Sequence, residues 1–144
     1  MPPIRTPQDI IALQLCEELA DLVIEITATG LVTKDFEMRN QIRRSSGAAG
    51  PLIAEGFGRF GPREFARYLT MAVSSLMETE IWLERGRRNR YWPPEAYDRT
   101  KRLCDRALDM TRKLLASKLR QIEEEKRKKA ASKRSGKRPS MPRR

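Results

Sequence analysis

Histidine is absent from all 144 residues. Its absence removes the commonest general base, the usual activator of a nucleophile and the default metal ligand. Di-iron helical bundles, which need Glu-x-x-His pairs, are excluded with it, and the glycine fingerprints of P-loop and dinucleotide sites are missing too. Cysteine is nearly absent: Cys16 and Cys104 are the only two. Each lies among apolar residues at helical spacing, so both read as small buried hydrophobes rather than a disulfide. Nine aromatics and few Val/Ile runs argue against a β-sandwich and for helices. No apolar run approaches the ~18 residues of a membrane span. The first 25 residues are acidic rather than signal-like, so a cytoplasmic location is the expectation.

Positive charge, by contrast, is concentrated. Residues 1–125 hold twenty Lys/Arg against nineteen Asp/Glu, whereas 126–144 hold ten cations and no acid. A near-neutral body with a cationic arm is the pattern of a tether for polyanions, not of a uniformly basic domain. The length allows one domain with a single core. The division expected is an N-terminal extension at 1–7, a bundle at 8–125, and a basic tail at 126–144.

Four helical segments are legible. From 8 to 27, Ala12, Leu15, Leu19, Leu22 and Ile26 recur at steps of three and four, with Gly30 as a candidate C-terminal cap. The second segment opens at Thr33 or Asp35 and runs through Met38, Ile42, Ala49 and Ile53 to about Phe57. Its middle, Ser45-Ser-Gly-Ala-Ala-Gly50 followed by Pro51, is poor in helix formers. Such a helix should be kinked and depend on something packed closely against it. Gly61-Pro62 restarts the chain, and Phe65, Leu69, Ala72, Leu76, Thr79 and Leu83 keep a heptad rhythm. Pro93-Pro94 opens the last segment, which carries two stripes: Leu103, Ala107, Met110, Leu114 and Cys104, Leu108, Leu115, Leu119, Ile122. Glu123, Glu124 and Glu125 precede Arg127, Lys128 and Lys129 by four residues, which extends the helix to about Ala131. Residues 132–144 offer nothing to bury and are expected to be disordered.

Three groups of side chains are candidates for chemistry. Glu55, Glu78 and Glu80 sit among apolar residues and are weighed for a metal. Ion pairing explains them better, Glu55 with Arg59 and Glu78 with the arginines of the second helix. Arg39, Arg43 and Arg44, with Arg59, Arg63 and Arg67 beyond them, suit phosphate by their rigid fork, although internal salt bridges use the same residue. Arg85, Arg87, Arg88 and Arg90 stand beside Tyr91 and Trp92, an arrangement that can neutralise phosphates while stacking an unpaired base. The alternative there is a solvated loop whose Trp92 seals the bundle end. In the tail, Lys126, Arg127, Lys128, Lys129, Lys133, Arg134, Lys137 and Arg138 complete the candidate nucleic-acid contacts. Gly56, Gly58 and Gly61 lack the preceding strand that a phosphate cradle follows.

The stretch Gln41-Ile-Arg-Arg-Ser-Ser-Gly-Ala-Ala-Gly-Pro-Leu-Ile-Ala-Glu-Gly56, then Gly58-Arg59, resembles the signature of the bacterial four-helix bundle proteins. These include proteins encoded in intervening sequences of 23S ribosomal RNA genes. Glu64-Phe65 and Ser75-Leu-Met-Glu-Thr-Glu80 are similar to that family's third helix. The resemblance covers about 8–122. It departs where Gly50, Pro51 and Leu52 replace the family's usual Pro and Asn, and where Leu13 stands for a usual Trp. It implies an antiparallel all-α four-helix bundle, commonly a homopentamer, without enzymatic activity. A related branch, the accessory proteins of diversity-generating retroelements, partners a reverse transcriptase and binds nucleic acid.

The expectation is therefore a non-enzymatic oligomer that binds nucleic acid, RNA in preference to duplex DNA, without cofactor or metal. A protein-interaction scaffold, or an accessory subunit of a reverse transcriptase, is the alternative. Attachment to a membrane surface is weaker, because the tail has no apolar face to insert.

Overall fold

Residues 3–136 are described by the computed structural model. Two short 3₁₀ turns, Pro7–Asp9 and Leu31–Lys34, flank the first of four α-helices: α1 (Ile11–Ile26), α2 (Phe36–Phe57), α3 (Pro62–Arg88) and α4 (Pro94–Gly136). Each helix packs against two others, in the cycle α1–α2–α3–α4–α1, and short connections make consecutive helices antiparallel. Among the described residues the fold is all-α, as the periodicities require.

The heptad of α3 is its inner face: Phe65, Leu69, Ala72, Leu76, Thr79 and Leu83 are all buried. Leu19, Ile42, Ile53 and Leu76 are among the fully buried core side chains. Burying such a side chain contributes roughly 1.5–3 kcal/mol, which makes this shared seam the main source of stability. Four threonines also lie in the interior, and each gives its hydroxyl proton to the carbonyl four residues back: Thr27 to Val23, Thr79 to Ser75, Thr100 to Ala96 and Thr111 to Ala107. They are polar groups that the core tolerates because each is satisfied locally. Cys16 and Cys104 are buried free thiols, and burial pushes both up to about 12.

The small residues of α2 do admit close neighbours. A β-carbon on Gly56 would lie 2.7 Å from Cβ of Tyr68, and Ser45 shares a 2.9 Å hydrogen bond with Thr79, both on α3. The helix runs continuously through Pro51, which faces solvent.

Several local expectations need correction. The C-terminal cap of α1 is Thr27, not Gly30; Gly30, at φ 85°, instead caps the start of the following 3₁₀ turn. Val23 rather than Leu22 takes the innermost place on α1. Of the two caps expected for α2, the structure has Asp35, which accepts from the Met38 N–H at 3.1 Å. Glu78 bonds to the Trp82 indole N–H at 3.3 Å and forms no ion pair with the arginines of α2. Glu123 pairs with Lys126, three residues on, at 3.6 Å. α4 continues to Gly136, beyond Ala131, because Ala, Lys and Arg sustain a helix already begun and no proline intervenes before Pro139. The expected disorder of 137–144 lies outside the described residues.

Candidate nucleic-acid interface

The bundle separates the candidate arginines into two ends. Arg39, Arg43 and Arg44 begin α2, and Arg85, Arg87, Arg88 and Arg90 finish α3, so both groups lie at one end. That end is tied together by Tyr91, whose hydroxyl donates to Asp35 Oδ2 at 2.8 Å. Arg59, Arg63 and Arg67 lie at the other end, around the turn from α2 to α3.

At the first end the arginines mostly serve the fold. Arg39 Nε donates to the Thr27 carbonyl at 3.1 Å, and Arg43 Nε donates to the Thr27 hydroxyl at 2.7 Å. Both thereby place positive charge on the C-terminus of α1, where carbonyls lack partners and the helix dipole is negative. Arg44 is exposed and without such a bond. Arg87 pairs with Glu84, which also accepts from the Tyr97 hydroxyl at 3.1 Å. Arg87 foremost, then Tyr97, holds the Glu84 carboxyl down at about 2. Arg85 lies over Trp82, 4.6 Å from the ring centroid.

Trp92 requires a correction. It is only 5% exposed, its Nε1 donates to the Leu83 carbonyl at 2.9 Å, and its ring covers Gly86. The residue seals the bundle end and offers no face to a base. Arg90 completes the α3 C-terminus in the left-handed region at φ 60°, where a glycine usually stands. The Tyr91 N–H reaches the Gly86 carbonyl at 2.8 Å, and the Arg90 N–H reaches that of Arg87 at 3.0 Å, the two bonds of a Schellman turn.

At the second end Tyr68 lies between two guanidinium groups, Arg59 at 5.5 Å and Arg67 at 4.9 Å from its centroid. Glu55 accepts from Arg59 at 2.9 Å and from the Tyr68 hydroxyl at 3.1 Å, which, Arg59 first, lowers its pKa. Arg67 pairs with Glu64 at 3.3 Å. Arg63 is exposed, and no acid pairs with it among the described residues. Gly58 and Gly61 lie in the turn, and Gly56 admits Tyr68. No group of His, Cys, Asp and Glu is arranged to hold a metal among the described residues.

The arm leaves from this same end. Lys118 lies 5.4 Å from the Phe65 centroid, and Ile122 is the last buried residue of α4. From there the helix continues fully exposed to Gly136, a projection of about 20 Å at 1.5 Å per residue. Helical spacing puts Lys126, Lys129, Lys133, Arg127 and Arg134 along one broad side, with Ala131, Ser132 and Ser135 opposite and Lys128 beside them. Lys137 and Arg138 lie outside the described residues. One exposed residue at this end escaped the sequence reading: Phe60, in the turn between Arg59 and Gly61, is 101% exposed. The signal was there in its flanking arginines and glycines.

No described helix is long and apolar enough to cross a membrane. A family model described as 23S rRNA-intervening sequence protein matches residues 8–113. Among solved structures, a protein of unknown function from the S23 ribosomal protein family of Bacteroides thetaiotaomicron is similar, at 23% identity and a TM-score of 0.67. The match covers 73% of this chain and 98% of that one, and at such identity it bears on the fold alone. A search of curated proteins finds no match.

Proposed function

The chain belongs to the 23S rRNA-intervening sequence protein family, and from that premise we propose a non-enzymatic, nucleic-acid-binding bundle whose ligand is RNA rather than duplex DNA. The observation that carries the proposal is the arm: an exposed helix with cations along one side, projecting from an otherwise near-neutral body. The matched region stops at residue 113, so the arm is argued from its own charge and not from the family. RNA is favoured because the family's description names a ribosomal RNA.

Phosphate contact releases condensed counterions, so binding must weaken with salt, at a log–log slope of about −0.7 per contact on single strands. Fluorescence anisotropy of a labelled RNA over a salt series measures it. A slope near zero contradicts the proposal.

The chain is also proposed to act as a homo-oligomer, a pentamer by its resemblance. Ile24, Met77, Ile81 and Leu119 are exposed on helix surfaces, apolar area that a second copy would cover. Five copies would gather about fifty tail charges on one particle, an avidity effect. Light scattering in solution checks this, and a monomeric mass contradicts it.

A second reading, a scaffold for a protein partner such as a reverse transcriptase, draws on one feature. Ile4, Ile10, Ile11, Met110 and Leu114 line an apolar groove of about 490 Å³ between the N-terminal segment and α4. A partner retained after nuclease treatment supports that reading.

A further inference from the structure

We propose that Phe60 is a stacking platform for an unpaired base, with Arg63 and the arm of α4 holding the flanking phosphates. The ligand is then a single-stranded or looped RNA segment; this rests on the nucleic-acid reading above and narrows it.

Phe60 is the most exposed large apolar side chain among the described residues. Two neighbouring phenyl groups meet edge-on at 6.2 Å, Phe65 in the core and Phe57 half-buried against it, whereas the third ring, Phe60, stands in solvent. The turn fixes it there. The Gly58 N–H reaches the Ala54 carbonyl and the Arg59 N–H the Gly56 carbonyl, each at 3.2 Å, while Gly61 starts α3 at φ 86°. A phenyl ring has only two side-chain torsions to order when a base settles on it.

A lone exposed apolar residue is ordinary. Its setting marks this one. Arg59 and Arg63 flank it, Arg59 held by Glu55 and Arg63 without an acidic partner among the described residues. α4 passes Phe65, in the first turn of α3, at Lys118, and beyond Glu123, Glu124 and Glu125 it becomes the basic arm. At the opposite end, exposed Leu31 and Phe36 share their surroundings with two acids, Asp35 and Glu37, and one cation, Lys34, whereas here Glu55 and Glu64 are each paired to an arginine. An exposed aromatic face next to an unpaired arginine, at the end of the bundle from which a cationic arm leaves, suits single-strand binding, since every base presents a π-face once unpaired. With Trp92 buried, Phe60 supplies that face.

The test uses the full chain, Phe60→Ala and Phe60→Trp, with a labelled unstructured oligouridylate and a blunt RNA duplex of equal length. Phe60→Ala is expected to weaken oligouridylate binding ~5- to 150-fold, the equivalent of ~1–3 kcal/mol per stacked base. Its salt slope and its duplex affinity stay unchanged, because the phosphate contacts remain. Phe60→Trp restores affinity, and its fluorescence falls on binding. Unchanged oligouridylate affinity with a normal salt slope overturns the role of Phe60 and leaves the nucleic-acid reading standing. No salt-dependent binding of either RNA by the natural chain overturns both. A smaller particle mass for Phe60→Ala makes the ring a contact between copies and also overturns the proposal.

Discussion

Trp92 lies so close over Gly86 that a β-carbon there would stand 2.3 Å from the indole. The indole Nε1 meanwhile donates to the Leu83 carbonyl at 2.9 Å, which fixes the ring in place. Gly86→Ala must therefore displace either the indole or the end of α3. It is expected to cost roughly 1–3 kcal/mol, the range for overpacked interiors, measurable by chemical denaturation. A neutral result means the ring moves freely, contrary to its bonding.

Arg43 and Arg63 should separate stability from binding. Arg43→Met removes that residue's bonds to the Thr27 hydroxyl and the Ile24 carbonyl and is expected to cost about 1–2 kcal/mol. Arg63→Met, at an exposed position, should stay within about 0.5 kcal/mol of the natural chain while weakening RNA binding. Denaturation and anisotropy on both variants check the pair, and the reverse pattern refutes the assignment.

Arg90 occupies a backbone region that favours glycine. Arg90→Gly is expected to stabilise the chain by roughly 1 kcal/mol, because the Schellman turn is retained and the crowding at Cβ is removed. A lower melting temperature contradicts this.

Glu84 carries a pH dependence of known sign. Its pKa is about 2 in the fold against 4.5 as the ordinary value, chiefly because Arg87 bonds to the charged form. Between those values the unfolded chain holds the extra proton, so acidification favours unfolding. The contribution is present above pH 4.5 and fades toward pH 2, and exposure of the pair keeps it small. Glu84→Gln should be less stable than the natural chain at neutral pH, with the difference closing as pH falls. A difference constant across that window contradicts the pairing.

The bundle was legible because its signal is periodic. Phe65, Leu69, Ala72, Leu76, Thr79 and Leu83 declare one face of α3 by spacing alone, and that face is the core. Arg39 and Arg43 could not be sorted in the same way. Their partners are carbonyl and hydroxyl groups at the end of α1, brought near by the connection between the helices rather than by any spacing along α2. Which of two readings holds for Trp92, and the exposure of Phe60, were hidden for a similar reason. A ring's exposure depends on how its turn aims it: Gly86 admits the Trp92 ring, while Phe60 stands in the turn just before Gly61, at φ 86°. The overrun of α4 past Ala131 shows the limit of reasoning from burial. A helix already nucleated by the bundle propagates through good helix formers with nothing to bury.

The most direct measurement compares RNA binding by the full chain with that of a chain ending at Glu125, by anisotropy across a salt series. The account predicts that removing 126–144 weakens binding by more than tenfold, about 1.4 kcal/mol, and flattens the salt slope, because the arm carries most of the phosphate contacts. Equal affinity and an equal slope without the arm would place the contacts on the bundle and contradict the central claim.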